Sequence, residues 1–322
     1  MITAKEIEKL FPETIGQESV KRQLGFFISG YNANGVLPHL LFTAPKGCGK
    51  THLAKAVART LKPKGSKKCK PLLEINCASL KNVRQFFNQV VIPYAHNADI
   101  TLLFDECSEL PREIAMAMLT ILNPNKENRT SFSIEEYTVD FDFSMQTFIF
   151  CTTEGQSLFH ALIDRLERID LEEYSHDNLA EIVKLGLAKG VMVDKGAMTK
   201  VSSVLRGNAR SAQKMAIKLN QYCVAEKRKR FKIADWKKFI YQLGIMPLGL
   251  MPAEIKILET LDAVKEMRLT ALASRLGMSR RSVQYDYELY LQKLGLIGIK
   301  TGGRYLTSKG KEYLKEVDEF TA

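Results

Sequence analysis

The 322-residue sequence predicts an α/β fold: a parallel sheet carrying a phosphate-binding loop, then an all-helical segment, then a small winged helix. Three observations carry this. Short, wholly apolar runs alternate with helical patterns over the first half, which implies strands covered on both faces. His39 to Leu53, H-L-L-F-T-A-P-K-G-C-G-K-T-H-L, sets a glycine-containing turn between one such run and a helix. From residue 252 onward the pattern is helix, helix, helix, hairpin.

The elements follow in chain order. Residues 1–37 are helical, broken at Phe11-Pro12, and Ile15-Gly16-Gln17 precedes an amphipathic helix through Val20, Leu24, Phe27 and Ile28. Leu40 to Phe42 is a buried strand, and Leu53, Val57 and Leu61 mark the inner face of the helix after the loop. Residues 62–70, K-P-K-G-S-K-K-C-K, form a basic, solvated turn segment. Strands are expected at Leu72–Cys77, Ile100–Phe104 and Thr147–Cys151, with helices at Leu80–Val91 and Glu113–Leu122. Ser131 to Phe143 alternates apolar and polar residues about Glu135-Glu136, a hairpin pattern. Ser175 caps a helix through Leu179, Ile182 and Val183, and further helices lie near 196–204, 208–225 and 234–243. Gly244 to Pro252 suits a boundary. Helices at 252–263, 269–276 and 279–293 and two extended runs about Gly302-Gly303 complete a winged helix. The domains are therefore 1–173, 174–246 and 247–322.

Composition narrows the partners. The net charge is +11 and the pI about 9.2, which favours a polyanionic partner. No apolar run approaches the length of a membrane span, and the first residues lack a signal-peptide core. The six cysteines are scattered without a C-x-x-C pair, as expected of reduced thiols in a cytoplasmic protein.

Chemistry concentrates at a few positions. Strand, glycine-containing loop, Lys-Thr and helix is the context in which loop N–H groups and a helix N-terminus hold phosphate oxygens. Lys50 would reach the β- and γ-phosphates, and Thr51 would coordinate Mg²⁺. The first position of the G-x-x-x-x-G-K-[ST] pattern is Ala44. Asp105 and Glu106 end an apolar strand at the sheet edge where ligands bind. Asp105 would join the Mg²⁺ shell, and Glu106 would orient and polarise the attacking water. Thr152 could sense the γ-phosphate. Arg165 could project into a neighbouring subunit's nucleotide site, and Arg210 could reach over the γ-phosphate, with Arg206 as its local competitor. Arg280, Arg281 and Gln284 open the third helix of the winged segment, and Lys300 and Arg304 flank its hairpin tip, placed for DNA contacts.

With these residues in place, the chain resembles the RuvB branch-migration motors of the AAA+ ATPases over nearly its whole length. The strings are I-G-Q-E-S-V-K, H-L-L-F-T-A-P-K-G-C-G-K-T, L-L-F-D-E-C-S-E-L, C-T-T-E-G-Q-S-L with L-I-D-R-L, L-R-G-N-A-R, and L-G-L-I-G-I-K-T-G-G-R. The resemblance implies an AAA+ P-loop NTPase sheet with a helical lid and a C-terminal winged helix, assembled as a hexameric ring around duplex DNA. It implies an ATP- and Mg²⁺-dependent DNA translocase that drives Holliday junction (four-way junction) branch migration. Ile15, Gly16 and Gln17 fall at the adenine-side turn. Pro45, Gly47, Cys48, Gly49, Lys50, Thr51 and His52 fall in the nucleotide loop. Tyr174 matches a nucleotide-contacting tyrosine, Thr152 sensor 1, Arg210 the sensor 2 arginine, Arg165 the trans-acting finger and Arg304 a DNA-contacting wing arginine. Departures are Ala44, Ile163 in place of an arginine, His52 in place of a threonine, Asn123-Pro124-Asn125 in place of an acidic tract, and a hairpin at 131–143 several residues shorter than the one that docks RuvA. The last weighs against a RuvA-type partner. A clamp-loader or helicase-loader switch, and a winged-helix regulator under ATP control, stay open as other readings.

Overall fold

The computed structural model describes residues 3–63, 65–123, 129–134 and 137–321. Two compact units emerge: Met1–Ile182 with Gly207–Gln213, and Val183–Arg206 with Lys214–Ala322. The expected lid and winged helix thus fall mostly in one unit, and two short pieces of the lid, 174–182 and 207–213, belong to the first.

In the first unit, α1 (Ala4–Leu10) and α2 (Glu18–Asn34) precede β1 (Leu40–Thr43) and α3 (Lys50–Ala58). The Glu6 carboxylate accepts from the Thr3 N–H at 2.7 Å and starts α1, and Gly35 at φ 79° ends α2. Then come β2 (Leu72–Asn76), α4 (Val83–Phe86), β3 (Thr101–Asp105), α5 (Arg112–Ile121), the hairpin β4 (Arg129–Ile134) and β5 (Tyr137–Asp142), β6 (Thr147–Thr152), α6 (His160–Ile163), β7 (Glu167–Asp170) and α7 (His176–Leu185). The helix expected at 80–91 is instead a single α turn running into a π-helix, Phe87–Ala95, with Pro93 inside it. Proline cannot donate to an ordinary i−4 ladder, so the wider winding accommodates it.

The central sheet is parallel throughout, in the order β2-β3-β6-β1-β7. One face packs Phe86, Phe87, Phe104, Phe148 and Phe150 against α5 and the π-helix, with Phe104 and Phe150 stacked at 4.9 Å. The other face packs Leu40, Phe42 and Ile149 against Leu24, Leu53 and Val57 of α2 and α3. Both faces are covered by apolar side chains, as parallel strands require. The strand β7 was not expected. Its residues E-R-I-D bury only Ile169, so it shows neither an apolar run nor alternation, and it lies at the sheet's edge, where charge protects against stray pairing.

His39 enters β1 beneath this core, edge-on to Phe148 at 5.4 Å, with a buried Nδ1 that has no hydrogen-bond partner. Burial pushes its pKa down to about 4. Below the unfolded value near 6.5 the unfolded chain takes up a proton that the folded chain refuses, so stability falls as pH drops from about 6.5 toward 4. Between pH 7 and pH 5 this one group should cost about 2 kcal/mol. Urea midpoints of His39→Leu at the two pH values should differ by correspondingly less than those of the parent chain.

The second unit holds β8 (Met192–Val193), α8 (Lys195–Ser203), most of α9 (Ala209–Ala225), β9 (Arg230–Phe231) and α10 (Trp236–Gln242). Tyr222, Phe231 and Phe239 form its aromatic centre, each pair within 5.4 Å. The winged helix follows: α11 (Pro252–Val264), β10 (Glu266–Met267), α12 (Leu269–Leu276), then α13 (Arg280–Ser282), a π-turn (Val283–Glu288) and α14 (Leu289–Lys293) in one run, then β11 (Ile297–Lys300), β12 (Gly303–Leu306) and α15 (Ser308–Thr321). The hairpin β11–β12 appears where expected and gains β10 as a third strand. The terminal α15 is an addition to the expected layout. It buries Tyr313 and Val317, four residues apart, in an otherwise charged sequence.

Candidate nucleotide site and DNA-facing surface

Strand order brings the expected chemistry together. β3, β6 and β1 are adjacent, so Asp105, Thr152 and the loop after Thr43 line up at their C-terminal ends, with Thr43 opposite Thr152. Ligands bind at this edge of parallel sheets.

The loop Ala44–Gly49 turns through Gly47 at φ 81° and Gly49 at φ 92°, values that suit glycine alone. Space demands glycine as well. A Cβ on Gly47 would lie 2.2 Å from the Asn208 side chain, and one on Gly49 would lie 2.9 Å from the Tyr174 hydroxyl. Pro45 and Cys48 close the turn through a 3.4 Å bond from the Cys48 N–H to the Pro45 carbonyl, and the Cys48 side chain is buried. Ala44 is nearly buried, so its extra methyl is accommodated. Lys50 opens α3, is 7% exposed, and donates to the carbonyls of Ala44 at 2.8 Å and Pro45 at 3.2 Å. Burial lowers its pKa, against the raising influence of Glu106.

The Thr51 hydroxyl donates to both Asp105 carboxylate oxygens, at 3.1 and 3.3 Å. An oxygen-only pair carrying one carboxylate fits Mg²⁺, which takes few protein ligands and completes its shell with water and phosphate. Glu106 has φ 52° and ψ 49°, a left-handed conformation that is uncommon outside glycine, with its N–H on Asp105 Oδ1 at 3.1 Å. Such outliers concentrate at working sites. Thr152 is fully buried, and its hydroxyl accepts from the Glu154 N–H at 3.0 Å.

Tyr174 is buried, its hydroxyl bonded to Gln17, and burial raises its pKa. The Gln17 side chain also donates to the Glu172 carbonyl at 2.6 Å and accepts from its N–H at 3.2 Å. Ile15 and Gly16 precede it, and a Cβ on Gly16 would strike Asn178 at 2.9 Å. His52 is exposed, and its ring nitrogen lies 3.3 Å from the hydroxyl of Thr14, the residue before Ile15-Gly16-Gln17.

The returning segment completes the site. Asn208 donates to the Lys46 carbonyl at 2.8 Å, and the Arg210 N–H reaches the Gly47 carbonyl at 3.4 Å, so Arg210 enters at the loop. The competitor Arg206 commits its guanidinium to Glu254 instead. Asn208 was missed in the sequence. Its signal was an Asn after a Gly at the start of a helix, where its side chain also accepts from the Ser211 N–H at 3.0 Å. Arg165 donates to the carbonyls of Leu119 at 3.1 Å and Ala161 at 2.8 Å, which orients its guanidinium on α5 and α6.

Burial raises the thiol pKa values of Cys77, Cys107 and Cys151. Five cysteines are buried and Cys69 is exposed, all free, and no cluster of metal-holding side chains occurs among the described residues. No helix there is long and apolar enough to cross a membrane.

In the winged helix, Ser279 caps the helix, accepting from the Ser282 N–H at 3.0 Å, and Arg280 and Arg281 are exposed on the first turn, with Gln284 half-buried. Lys300 is exposed beside the hairpin tip, over the Tyr305 ring at 4.2 Å. Arg304 is the residue expected to contact DNA from the wing, and the structure shows its guanidinium engaged within the winged helix. It lies inside β12 and donates to both oxygens of buried Glu288, at 3.0 and 3.2 Å, so it fixes the wing to the long helix.

Residues 40–175 match the model of the ATPase family associated with various cellular activities (AAA), and residues 247–315 match the RuvB C-terminal winged helix domain. The chain is 26% identical over 321 residues to the Holliday junction branch migration complex subunit RuvB of Fusobacterium nucleatum, covering 96% of this chain and 92% of that protein. With the Ehrlichia canis subunit of the same name it shares 28% over 320 residues, covering 95% and 92%. The solved Thermotoga maritima RuvB Holliday junction branch migration motor superposes with a TM-score of 0.76 at 23% identity, over 94% of this chain and 95% of that one. The two family models in this order, with relatives spanning both, identify the chain as a divergent member of the RuvB-like AAA+ ATPases.

Proposed function

We propose that this ATPase is a DNA motor of the RuvB type, driving four-way junction branch migration by moving duplex DNA through a homo-oligomeric, hexameric ring. The observation that carries the reading is a complete nucleotide edge in the same chain as a winged helix of the RuvB kind, with relatives of that name matching nearly end to end.

In this reading ATP binds at the loop after β1. Backbone N–H groups of Gly47, Cys48 and Gly49 surround the phosphates, and Lys50 leaves the loop carbonyls to neutralise them. Thr51 and Asp105 would hold Mg²⁺, which supplies charge neutralisation at the β- and γ-phosphates. Glu106 accepts a proton from the attacking water and holds it in line. Thr152 positions that water from its buried turn. Arg165 of a neighbouring subunit supplies positive charge to the transferring phosphoryl group, and Arg210 couples the state of the γ-phosphate to the lid. Gln17 and Tyr174 frame the base side.

Arg280, Arg281, Gln284 and Lys300 face DNA, while Arg304 holds the wing in place for them. Such contacts are largely to phosphate, so affinity should fall steeply with salt. The protein is read as cytoplasmic, and a RuvA-like loading partner is tested rather than assumed.

The experiment is the ATPase rate with a four-way junction, with linear duplex and without DNA, beside junction-dissociation gels. Stimulation with dissociation supports the motor. Stimulation without dissociation points to a loader, or to a missing junction-binding partner. A rate indifferent to every DNA overturns the reading in favour of a regulatory role.

A further inference from the structure

We infer that Tyr285 and Leu289 form an apolar strip, on the helix that opens with Arg280 and Arg281, which reads thymine methyl groups in the major groove. The inference rests on the reading that this winged helix faces DNA, and it adds base recognition to the phosphate contacts.

The run α13, π-turn and α14 is one continuous helix. Val283, Glu288 and Leu291 are its buried residues. Val283 and Glu288 are five positions apart. At about 3.6 residues per turn such a pair points in different directions, and the wider π winding, with its i→i+5 bonds, brings both inside. Glu288 there receives the Arg304 guanidinium at 3.0 and 3.2 Å, so Arg304 spends its charge within the domain. Local π winding is frequent at functional sites.

The outer face of the same helix is apolar where a solvated face would carry charge. Tyr285 is 61% exposed and Leu289 57%, and four positions apart they are neighbours on the helix surface. Neither belongs to the core of the winged helix, which takes Tyr287 and Tyr290 from this helix instead. Of the three tyrosines in eleven residues' reach of Ser279, one alone is left facing solvent.

Charge decides what this face meets. Arg280 and Arg281 are exposed on the turn before the pair, and Lys300 is exposed at the hairpin, so the surroundings attract a polyanion. Asp286 is exposed beside Tyr285, and its carboxylate accepts from the Ser282 hydroxyl at 2.7 Å. A carboxylate at this turn repels phosphate oxygens. Phosphate therefore belongs to the arginines, and the turn of Tyr285 and Leu289 meets base edges, as the early turns of such helices do. The major groove offers one apolar feature there, the C5-methyl of thymine. An aromatic ring and a leucine side chain match it.

The test is fluorescence anisotropy of the full chain, without nucleotide, on one mixed-sequence duplex made with thymine and again with uracil in its place. The exchange removes the methyl groups and leaves pairing unchanged. The parent should bind the thymine duplex about three- to tenfold more tightly, the worth of one or two buried methyl groups. Replacing cytosine by 5-methylcytosine in the uracil duplex returns methyl groups to the same groove and should recover part of the loss. Tyr285→Ser/Leu289→Gln should bind both duplexes alike, with an unchanged dependence on salt, because no phosphate contact is removed. It should melt with the parent, as both side chains are largely solvated. Arg281→Ala should weaken both duplexes equally and lower the salt slope by about one. Equal binding of the two duplexes by the parent overturns the inference and leaves the DNA-facing reading standing. So does an undiminished thymine preference in the double variant. Loss of self-association in that variant, with the preference intact, assigns the strip to a second copy of the chain instead. A parent that binds no duplex overturns both readings.

Discussion

Glu106→Gln is expected to bind ATP with nearly unchanged affinity and to lose turnover by about 10²- to 10⁴-fold, the span usual for a positioned general base. The residue follows β3 directly and is held in a left-handed turn whose N–H is tied to Asp105. The amide variant keeps shape and hydrogen bonding but cannot take a proton. Thr51, Asp105 and Lys50 are untouched, so binding should survive. Fluorescent-nucleotide titration measures the first half and single-turnover hydrolysis the second. Near-normal hydrolysis would remove Glu106 from its role and leave water activation to another group at this edge. A parallel loss of affinity would mean that the carboxylate holds the loop rather than the water.

Arg165→Ala should lower turnover by about 10³-fold or more, at the scale of fingers that act across an interface. Within its own chain the guanidinium is oriented by two backbone carbonyls, Leu119 and Ala161, and by no carboxylate in these bonds. Carbonyls aim a cation without neutralising it, which leaves the charge available to a phosphoryl group. The decisive form of the experiment mixes subunits. Arg165→Ala and Glu106→Gln should each be nearly inactive, but in the proposed ring a mixed assembly would contain interfaces in which one subunit offers intact Glu106 and its neighbour intact Arg165. Hydrolysis should rise above either variant alone. A mixture no better than its components would return Arg165 to a structural role in holding α5 to α6.

The nucleotide edge was legible in the sequence because each part obeys a local rule. Leu40–Phe42 and Leu102–Phe104 are unbroken apolar runs, and Gly47 and Gly49 punctuate the loop where only glycine fits. The winged helix was legible because 269–276 and the hairpin about Gly302 are locally complete signals. What stayed hidden depends on tertiary partners. β7 carries three charges in four residues and is a strand only because β1 offers it an edge. The π-helix at 87–95 has no periodic signature distinct from an α-helix. Arg304 reads as a surface cation until Glu288, sixteen positions away, is seen buried beneath it. Asn208 and Arg206 lie close together in the chain, yet one serves the loop and the other the winged helix, and no spacing rule divides them.

The return of Gly207–Gln213 to the first unit has a consequence for biosynthesis. Chains emerge from the ribosome N-terminus first, and domains tend to fold as they appear. The sheet can form once β7 has emerged, but the loop lacks Asn208 and Arg210 until about half of the lid has been made. A nascent chain ending near residue 182 would carry the phosphate loop without its closing segment. ATP would hold such a chain weakly and stabilise it little, since ligand stabilisation grows with occupancy. Nucleotide can therefore act as a late check on folding, rewarding only chains whose two distant stretches have met.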